Sequence, residues 1–339
     1  MSYNIFLKSE GISFQSPMGI TVLEAAQDAG IKLQHGCLVG TCRLCRTRLL
    51  KGKIEYLSGF SSCLSDAEVA ENYFLPCCAT ATSDIVCEQD VWSTTPKTHK
   101  EGSILLDKQL YGKVFVLTLQ LSAHTHINPI PGQYIYVESS CGISRAYSIA
   151  NIPQVDGRIE LHVRWHDNGI FSHYVCDSIN IGDVLWIYGP YGDFILNQNS
   201  SRSILFIATG TGFSPIKAIL ESGAIPRDRI IKLYWGGRGI SDWYFKTSIA
   251  NLSSKYDNFE FVPVLSRPDI LDCWSGRIGH VQNWIESDIN DLSGYDVYAC
   301  GTPDMISDTF ELLVARCRLS ADQFRADSFY CTVNTGNVK

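Results

Sequence analysis

The sequence lacks an excess of basic residues, a long apolar run and a leader-like N-terminus. Its 28 Lys and Arg residues are outnumbered by 35 Asp and Glu, which gives a net charge of −7, whereas nucleic-acid binding needs a clustered basic face. No apolar run reaches the roughly 18 residues that a membrane-spanning helix requires, and no basic segment precedes an apolar one at the N-terminus. We therefore expect a cytoplasmic protein without a nucleic-acid partner or membrane span, and we take a monomer as the default.

Cysteine, by contrast, is abundant, with 13 residues in a chain of 339. A disulfide framework is typical of short secreted chains, but this chain is long and its cysteine count is odd. Three cysteines follow the spacing C-x4-C-x2-C at Cys37, Cys42 and Cys45. Plant-type [2Fe–2S] clusters use this spacing together with one distant cysteine, and the adjacent Cys77 and Cys78 compete for that place. Zinc, which favours paired C-x2-C units, is the weaker alternative.

Three segments that differ in composition and in the pattern of apolar residues predict three domains. Residues 1–92 contain the cysteine motif, and residues 93–103 form a polar linker. Residues 104–199 consist of short β-rich runs broken by Gly and Pro, which predict an antiparallel barrel. In residues 200–339 apolar runs alternate with helical stretches, which predicts a parallel α/β sheet. The predicted fold class is multidomain α+β.

The barrel segment carries a series of short motifs with candidate cofactor-binding residues. The first motif, R-x-Y-S, is weak evidence when it stands alone, and its order relative to the later motifs strengthens it. The candidates in these motifs are Arg145, Tyr147, Ser148, His162, Val163, Arg164, Gly169, Phe171 and Ser172.

The α/β segment opens with a glycine loop between a predicted strand and a predicted helix. Gly210, Thr211 and Gly212 lie at the turn and Pro215 at the helix start, where backbone N–H groups can bind a pyrophosphate. The loop lacks the G-x-G-x-x-G fingerprint, which disfavours a Rossmann dehydrogenase. Motifs after later strands add the candidates Gly236, Arg238, Cys300, Gly301, Met305 and Phe329.

Taken in order, these motifs resemble those of the ferredoxin–NADP reductase family over nearly the whole chain. The arrangement is similar to that of three-domain reductases, namely the reductase components of phenol hydroxylase and naphthalene dioxygenase and the CDP-6-deoxyglucoseen reductases. The resemblance implies a β-grasp ferredoxin domain with a [2Fe–2S] cluster, an FAD-binding barrel and an NAD(P)H-binding domain. It also favours Cys77 over Cys78 as the fourth cluster ligand, because C-C-A-T-A-T-S-D matches the family pattern when Cys77 is the ligand.

The resemblance implies a role for the principal candidates. Arg145 pairs with a flavin phosphate, Tyr147 packs on the isoalloxazine and Ser148 reaches its N5 atom. Cys300 lies against the nicotinamide C4 atom, and Phe329 covers the flavin until the nicotinamide displaces it. Ser148, Cys300 and Phe329 are therefore the expected catalytic residues.

The implied function is electron transfer from NAD(P)H through FAD and the cluster to the terminal component of a multicomponent oxygenase, which docks transiently. Two alternatives stay open. One is a reductase that feeds an iron–sulfur dehydratase in CDP-6-deoxy-sugar synthesis, and the other is a non-catalytic redox sensor. The resemblance favours NADH. Arg238 would bind the 2′-phosphate of NADPH, whereas Asp242 lies close in the sequence and would repel it.

Overall fold

The computed structural model describes most of the chain. The described residues are 2–31, 33, 40, 45–57, 64, 66–89, 100–140, 142–152, 156–270 and 273–329. Within these ranges the strands form three successive large sheets and a small ribbon beside the first sheet. The domain boundaries stay predictions.

The first sheet mixes parallel and antiparallel pairs. Its elements are β1 (Ser2–Leu7), β2 (Ile12–Pro17), α1 (Val22–Asp28), β3 (Thr47–Lys51), β4 (Ile54–Tyr56), α2 (Asp66–Ala70), β5 (Tyr73–Phe74), β6 (Ala79–Ala81) and β7 (Ile85–Gln89). The strand order is β2-β1-β7-β3-β5, with β1 parallel to β7, and β4 pairs with β6 alongside. A central parallel pair with a helix against the sheet is the β-grasp arrangement predicted from the sequence.

Helix α1 fixes the chain directly ahead of the cysteine loop. The Glu24 N–H donates to Thr21 Oγ1 (3.1 Å) and the Thr21 N–H donates to Glu24 Oε2 (2.9 Å), which is a capping box. Gly30 ends the helix with a φ of +74°, a conformation that costs glycine little. The apolar side chains of α1 pack with Ile5 in the domain core, so the helix is held against the first sheet.

The second sheet is an antiparallel barrel. Its elements are β8 (Glu101–Tyr111), β9 (Val114–Gln120), β10 (Tyr134–Glu138), β11 (Ser144–Ser148), β12 (Arg158–Arg164), α3 (Ile170–His173) and β13 (Val184–Tyr191). The strand order is β11-β10-β13-β8-β9-β12. A bridge between Ile149 and Leu161 joins the two end strands, which closes the sheet on itself.

Strand β8 begins earlier than the sequence predicted. Residues 101–103, assigned above to the linker, belong to this strand and pair with β13. The buried Ser103 hydroxyl donates to the Leu185 carbonyl oxygen (2.9 Å). A polar stretch without apolar periodicity is thus held as a strand by its neighbour, which the local sequence did not reveal. Residues 93–99 of the predicted linker lie outside the described residues.

The third sheet is parallel and has helices on both faces. Its elements are β14 (Ser203–Thr209), α4 (Phe213–Glu221), β15 (Ile231–Gly237), α5 (Lys246–Lys255), β16 (Phe259–Leu265), β17 (Arg277–Ile278), α6 (Val281–Asp288), β18 (Tyr295–Gly301), α7 (Pro303–Arg316) and β19 (Phe324–Ser328). The strand order is β17-β16-β15-β14-β18-β19. The chain winds outward from β14 to β17 and then adds β18 and β19 on the other side. Open parallel sheets bind ligands where the order reverses, outside the carboxyl ends of the strands, which here means β14 and β18.

Each face of this sheet has its own apolar core. One core includes side chains from α4 and α5, and the other includes side chains from α6 and α7. Continuous apolar strands are typical of a sheet buried on both faces, so the predicted α/β layer is confirmed. Among the helices that the structure describes, none is long and apolar enough to cross a membrane.

Candidate functional site

Two of the four predicted cluster ligands lie together in the first domain. Cys45 precedes β3, Cys77 precedes β6, and their Sγ atoms are 3.2 Å apart. Both side chains are buried. The other two predicted ligands, Cys37 and Cys42, lie outside the described residues.

The chemistry of this sulfur pair suits a metal cluster. Hydrogen bonds with Cys45 and then with Cys78 lower the pKa of Cys77 from 9.0 to about 4, against the opposing effect of burial. The thiolate is therefore favoured at neutral pH, and the thiolate is the form that binds metal. In the same core, burial alone raises the pKa of Cys87 to about 12. The contrast distinguishes a ligand-like thiol from a structural one.

On the barrel, β11 carries the R-x-Y-S motif at its surface. Arg145 donates from Nη1 to the Ser144 carbonyl oxygen (2.8 Å) and forms no ion pair with a described residue. The Tyr147 ring packs against Phe171, with ring centroids 5.2 Å apart. A cation that forms no ion pair with a described carboxylate, two residues from an aromatic ring on the same strand, fits the phosphate and the ring system of FAD.

The Ser172 side chain stabilises the predicted phosphate-binding turn before α3. Ser172 Oγ donates to the Gly169 carbonyl oxygen (2.9 Å) and also lies 3.2 Å from the His166 carbonyl oxygen. A Cβ on Gly169 would come within 2.6 Å of Ser172 Oγ, so this turn requires glycine. Ser172 therefore shapes the turn, and the buried Phe171 anchors it in the barrel core.

Strand β12 has two faces with different contacts. Val163 and its alternate neighbours point into the barrel core. Glu160, His162 and Arg164 lie on the other face and contact the third domain. Their partners there are Lys217, Ser214, Tyr244 and Asp242.

His162 is the centre of this contact between domains. Its Nδ1 lies 2.8 Å from the hydroxyls of both Tyr244 and Ser214, and its Nε2 lies 2.8 Å from Glu160 Oε1. Burial lowers the pKa of His162, which favours the neutral ring. Because a carboxylate only accepts hydrogen bonds, Nε2–H donates to Glu160 and Nδ1 accepts from the hydroxyls. Lys217 completes the chain of contacts, 3.2 Å from Glu160.

Asp242 has a different role from the predicted one. Its carboxylate accepts from Arg164 Nη2 and from the Arg238 backbone N–H, both at 2.6 Å, and the residue is buried. Since Arg164 balances its charge, the expected repulsion of a 2′-phosphate by Asp242 is wrong. The Arg238 side chain is exposed. Preference for NADH then depends on the family resemblance alone.

The glycine loop forms a 3₁₀ turn, Gly210–Gly212, between β14 and α4. Gly210 has a φ of +54°. A Cβ on Gly212 would lie 2.1 Å from the Cys300 carbonyl oxygen, so the loop packs directly on the end of β18. Thr211 is the middle residue of the turn, and Pro215 lies in the first turn of α4.

The ends of β14 and β18 form a crowded site that includes an unsatisfied polar atom. A Cβ on Gly301 would lie 2.2 Å from Thr209 Oγ1 and 2.5 Å from Met305 Cε. Thr209 Oγ1 is buried and has no hydrogen-bond partner among the described residues. Buried polar groups are almost always paired, so this hydroxyl at the carboxyl edge of the sheet suits a ligand. Gly236, near the end of β15, is also closely packed, because a Cβ there would lie 2.8 Å from Val281.

Ser148 and Cys300, from different domains, both lie next to Asp327. Ser148 Oγ donates to Asp327 Oδ2 (3.2 Å), and Asp327 is the parallel-strand partner of Cys300. Burial raises the pKa of Asp327 to about 7 and raises the pKa of Cys300 well above 9.0, so Cys300 is a neutral thiol. The Phe329 N–H donates to the Gly301 carbonyl oxygen (2.8 Å), and its ring packs on the third-domain core.

Sequence reasoning missed several polar residues of this site. Lys217 could have been recognised from the sequence, because a lysine within the apolar run I-K-A-I-L of a buried helix needs a partner. Tyr244 could not have been recognised in this way, because its partner His162 lies 82 residues away in the chain. Thr209 directly precedes the glycine loop and Asp327 lies two residues before Phe329, but their contacts depend on the sheet that joins β14, β18 and β19.

These sites define an NAD(P)H-dependent flavin oxidoreductase that is joined to a cluster-binding domain. Three family models match successive parts of the chain: a 2Fe-2S iron-sulfur cluster binding domain over residues 5–82, an oxidoreductase FAD-binding domain over 104–195 and an oxidoreductase NAD-binding domain over 206–311. The predicted [2Fe–2S], FAD and nicotinamide cofactors are thereby confirmed.

Two relatives align with nearly the whole chain. It is 36% identical to the CDP-6-deoxy-L-threo-D-glycero-4-hexulose-3-dehydrase reductase of Yersinia pestis, over 91% of this chain and 92% of that protein. It is 31% identical to the xylene/toluene monooxygenase electron transfer component XylA of Pseudomonas putida, over 96% and 93%. The chain therefore belongs to the family of three-domain electron-transfer reductases with [2Fe–2S], FAD-binding and NAD-binding domains.

A solved structure has the same architecture. The Amycolatopsis cytochrome P450 reductase GcoB matches with a TM-score of 0.66 and 26% identity, over 96% of this chain and 98% of that one. The predicted fold class and the assignment as an NAD(P)H-dependent oxidoreductase are confirmed.

Proposed function

We propose that this chain passes electrons from NADH through FAD to a [2Fe–2S] cluster held by Cys37, Cys42, Cys45 and Cys77, and then to a protein acceptor. The observation that carries the proposal is the buried sulfur pair of Cys45 and Cys77, 3.2 Å apart. Flavin, when bound, accepts a hydride and releases electrons one at a time, which connects a two-electron donor to a one-electron cluster.

The barrel residues bind and orient the flavin. Arg145 has no carboxylate partner among the described residues, which supports a contact with FAD phosphate. Tyr147 supplies an aromatic face backed by Phe171. Gly169 and Ser172 shape the turn before α3, whose N–H groups are proposed to contact the pyrophosphate.

The third-domain residues bind the nicotinamide nucleotide at the carboxyl ends of β14 and β18. The 210–212 turn and the first turn of α4 supply backbone N–H groups for the pyrophosphate, and Arg238 lies at the exposed edge. Gly301 lets the ends of β14 and β18 pack closely, because a Cβ there would meet Thr209 and Met305, and Thr209 Oγ1 offers an unsatisfied hydrogen bond. Phe329, hydrogen-bonded through its backbone to Gly301, is proposed to cover the flavin.

The proposed contribution of Ser148 and Cys300 to hydride transfer is orientation. Both adjoin Asp327, which links the barrel to the third domain. Cys300 stays a neutral thiol because of its burial, so it is proposed to act as a packing surface and not as a nucleophile. Groups held in register in this way lower the barrier by removing orientational freedom before the reaction.

An anaerobic titration tests the order of carriers. NADH, and then NADPH, is added to the purified holoprotein while the visible spectrum is recorded. We expect flavin bleaching together with loss of the cluster bands, at lower concentrations of NADH than of NADPH. Flavin bleaching in a protein without cluster bands would contradict the cysteine assignment.

The acceptor that we favour is an iron–sulfur 3-dehydrase of CDP-6-deoxy-sugar synthesis, and the terminal component of an oxygenase is the second candidate. The 36% identity to the Yersinia pestis dehydrase reductase, against 31% to the xylene/toluene monooxygenase component, supports this order. The test adds each purified acceptor to the reductase and NADH and measures product formation. Turnover with the oxygenase and none with the dehydrase would reverse the order. The monomeric state and the cytoplasmic location stay predictions.

A further inference from the structure

Lys217 places a positive charge inside the contact between the barrel and the third domain. The residue is 4% exposed, although lysine is almost never buried without partners. Its ammonium donates to the Ala150 carbonyl oxygen (3.0 Å) and lies 3.2 Å from Glu160 Oε1 and 2.9 Å from Glu221 Oε2. Ala150 and Glu160 belong to the barrel, whereas Glu221 belongs to the same helix as the lysine, α4. No step of the proposed electron route uses this lysine.

The barrel partners of Lys217 lie next to the proposed flavin-binding strand. Ala150 comes two residues after Ser148, where β11 ends. The Ala150 N–H donates to the Glu160 backbone carbonyl oxygen (2.8 Å), so the two barrel partners are hydrogen-bonded to each other. Lys217 therefore contacts the barrel at the point where its end strands, β11 and β12, meet.

The other side of this contact is the helix that follows the glycine loop. Helix α4 begins directly after Gly212, and Ser214 Oγ in its first turn lies 2.8 Å from His162 Nδ1. Ser214 and Lys217 are three residues apart and lie on one face of the helix. Their partners His162 and Glu160 are two residues apart and lie on one face of β12. Two contacts one helical turn apart fix the rotation of α4 on the strand as well as its distance from it.

The groups in this contact are shielded from solvent. Ser214 is 2% exposed and His162 is 4% exposed. The Phe245 ring stacks on His162, with ring centroids 5.1 Å apart, and its centroid lies 5.5 Å from Lys217 Nζ. An effect of Lys217 on the reaction must therefore act through position and not through contact with the substrate. A buried ion pair is also weak evidence for stability, because desolvation offsets the attraction between the charges.

We propose that Lys217 is a positioning residue for hydride transfer: by joining helix α4 to the end of strand β11, it fixes the nicotinamide nucleotide relative to the flavin. The inference rests on the proposed function, in which the nucleotide pyrophosphate binds at the start of α4 and a hydride passes from NADH to the flavin and leaves NAD⁺. Misalignment of two bound groups slows the reaction between them without weakening the binding of either.

A matched pair of variants separates the two kinds of contact that Lys217 makes. Glu160→Gln and Glu221→Gln each remove one carboxylate from the ammonium, but only Glu160 belongs to the barrel. Glutamine keeps an oxygen that accepts a hydrogen bond from His162 Nε2, so Glu160→Gln removes the charge and preserves that bond. Lys217→Met, which is unbranched and uncharged, removes both contacts.

The measurements use the purified full-length holoproteins. Stopped-flow flavin bleaching at saturating NADH gives the rate of hydride transfer, and steady-state assays give the KM for NADH. The charge-transfer absorbance of NAD⁺ with the chemically reduced flavin reports the stacking of the two rings without turnover. The FAD content and urea unfolding of each variant show that it is loaded and folded.

We expect Lys217→Met to slow hydride transfer by about tenfold and Glu160→Gln to slow it by a smaller factor. In both variants the KM for NADH should stay unchanged and the charge-transfer absorbance should weaken. Glu221→Gln should leave the rate and the absorbance unchanged, because its carboxylate does not connect the two domains.

Two results would overturn the positioning role. One is a folded, FAD-loaded Lys217→Met protein that transfers hydride as fast as the unmodified protein. The other is equal slowing by Glu160→Gln and Glu221→Gln, which would make the lysine a general stabiliser of α4, and this comparison decides the question if Lys217→Met does not fold. An unmodified protein whose flavin is not bleached by NADH would instead contradict the proposed function, which separates the two failures.

Discussion

The cluster site and the flavin–nicotinamide interface are built in contrasting ways. At the cluster site, the described groups are thiols of one domain, and Cys45 and Cys77 are 32 residues apart in the chain. At the interface, polar groups of two different domains form hydrogen bonds with each other. Ser214 and His162 are 52 residues apart in the chain, and Ser148 and Asp327 are 179 residues apart.

The two sites also differ in whether protein groups alone supply the partners of their polar side chains. The lowered pKa of Cys77 favours a buried thiolate, which is the form that binds metal, so the described part of the cluster site is suited to iron. His162, in contrast, has partners at both ring nitrogens without any cofactor. The cluster site should therefore respond to loss of one ligand in an all-or-none way, whereas the interface should respond in graded steps.

The largest expected effect comes from Cys45→Ser, which breaks the cluster site alone. NADH-dependent reduction of cytochrome c should fall by at least about a hundredfold, because single electrons leave through the cluster. Ferricyanide reduction should stay within about twofold, since it draws electrons from the flavin. Steady-state assays of both acceptors measure the effect, and Cys87→Ser serves as the control. Equal loss of both activities would show that the two sites are not separable.

Asp327→Asn tests the interface through its pH dependence. Burial raises the Asp327 pKa from 3.8 to about 7, so between these values the folded protein holds a proton that the unfolded chain has released. Stability contributed by this group is therefore highest at low pH, falls as pH rises towards 7 and is flat above. Asparagine removes that fall, so the variant should gain stability relative to the unmodified protein, by about 2 kcal/mol between pH 5.5 and pH 8.

Urea unfolding followed by tryptophan fluorescence at both pH values measures this gain. Asp228→Asn, at an exposed aspartate of the same domain, is the control and should show no such change. A difference between Asp327→Asn and the unmodified protein that does not vary with pH would contradict the raised pKa.

Gly301→Ala tests the crowding at the end of β18. The added Cβ would meet Thr209 Oγ1 at 2.2 Å and Met305 Cε at 2.5 Å, and overpacking of this kind costs about 1–3 kcal/mol. The KM for NADH should rise about tenfold, because the clash displaces Thr209 and Met305 at the edge of the sheet where we propose that the nicotinamide nucleotide binds. Gly294→Ala, where a Cβ meets nothing within 4 Å, is the control. An unchanged KM with lowered stability would remove Gly301 from the nucleotide site.

The same contrast explains what could be predicted from the sequence. The cysteine spacing, the glycine loop and the alternation of apolar runs with helical stretches are local patterns, and the predicted domain folds followed from such patterns and from the family resemblance. The contacts of His162 and Asp242 could not be predicted, because each depends on which strand face meets the third domain. The start of β8 was missed for a related reason, since the strand at residues 101–103 is specified by β13 and not by its own residues.

The smallest expected effect comes from Tyr244→Phe, which removes one hydroxyl from the interface and keeps the ring. His162 Nδ1 retains the Ser214 hydroxyl at 2.8 Å, so the stability cost should be about 1 kcal/mol, the usual net value of one hydrogen bond. Hydride transfer, measured by stopped-flow flavin bleaching with saturating NADH, should slow a few-fold while the KM stays unchanged, because the domains lose alignment and not nucleotide contacts. Tyr256→Phe, whose hydroxyl bonds to the Leu220 carbonyl oxygen within the third domain, should lose similar stability without slowing the transfer. If both variants slow it equally, the interface has no special part in alignment, and its contrast with the cluster site is one of stability alone.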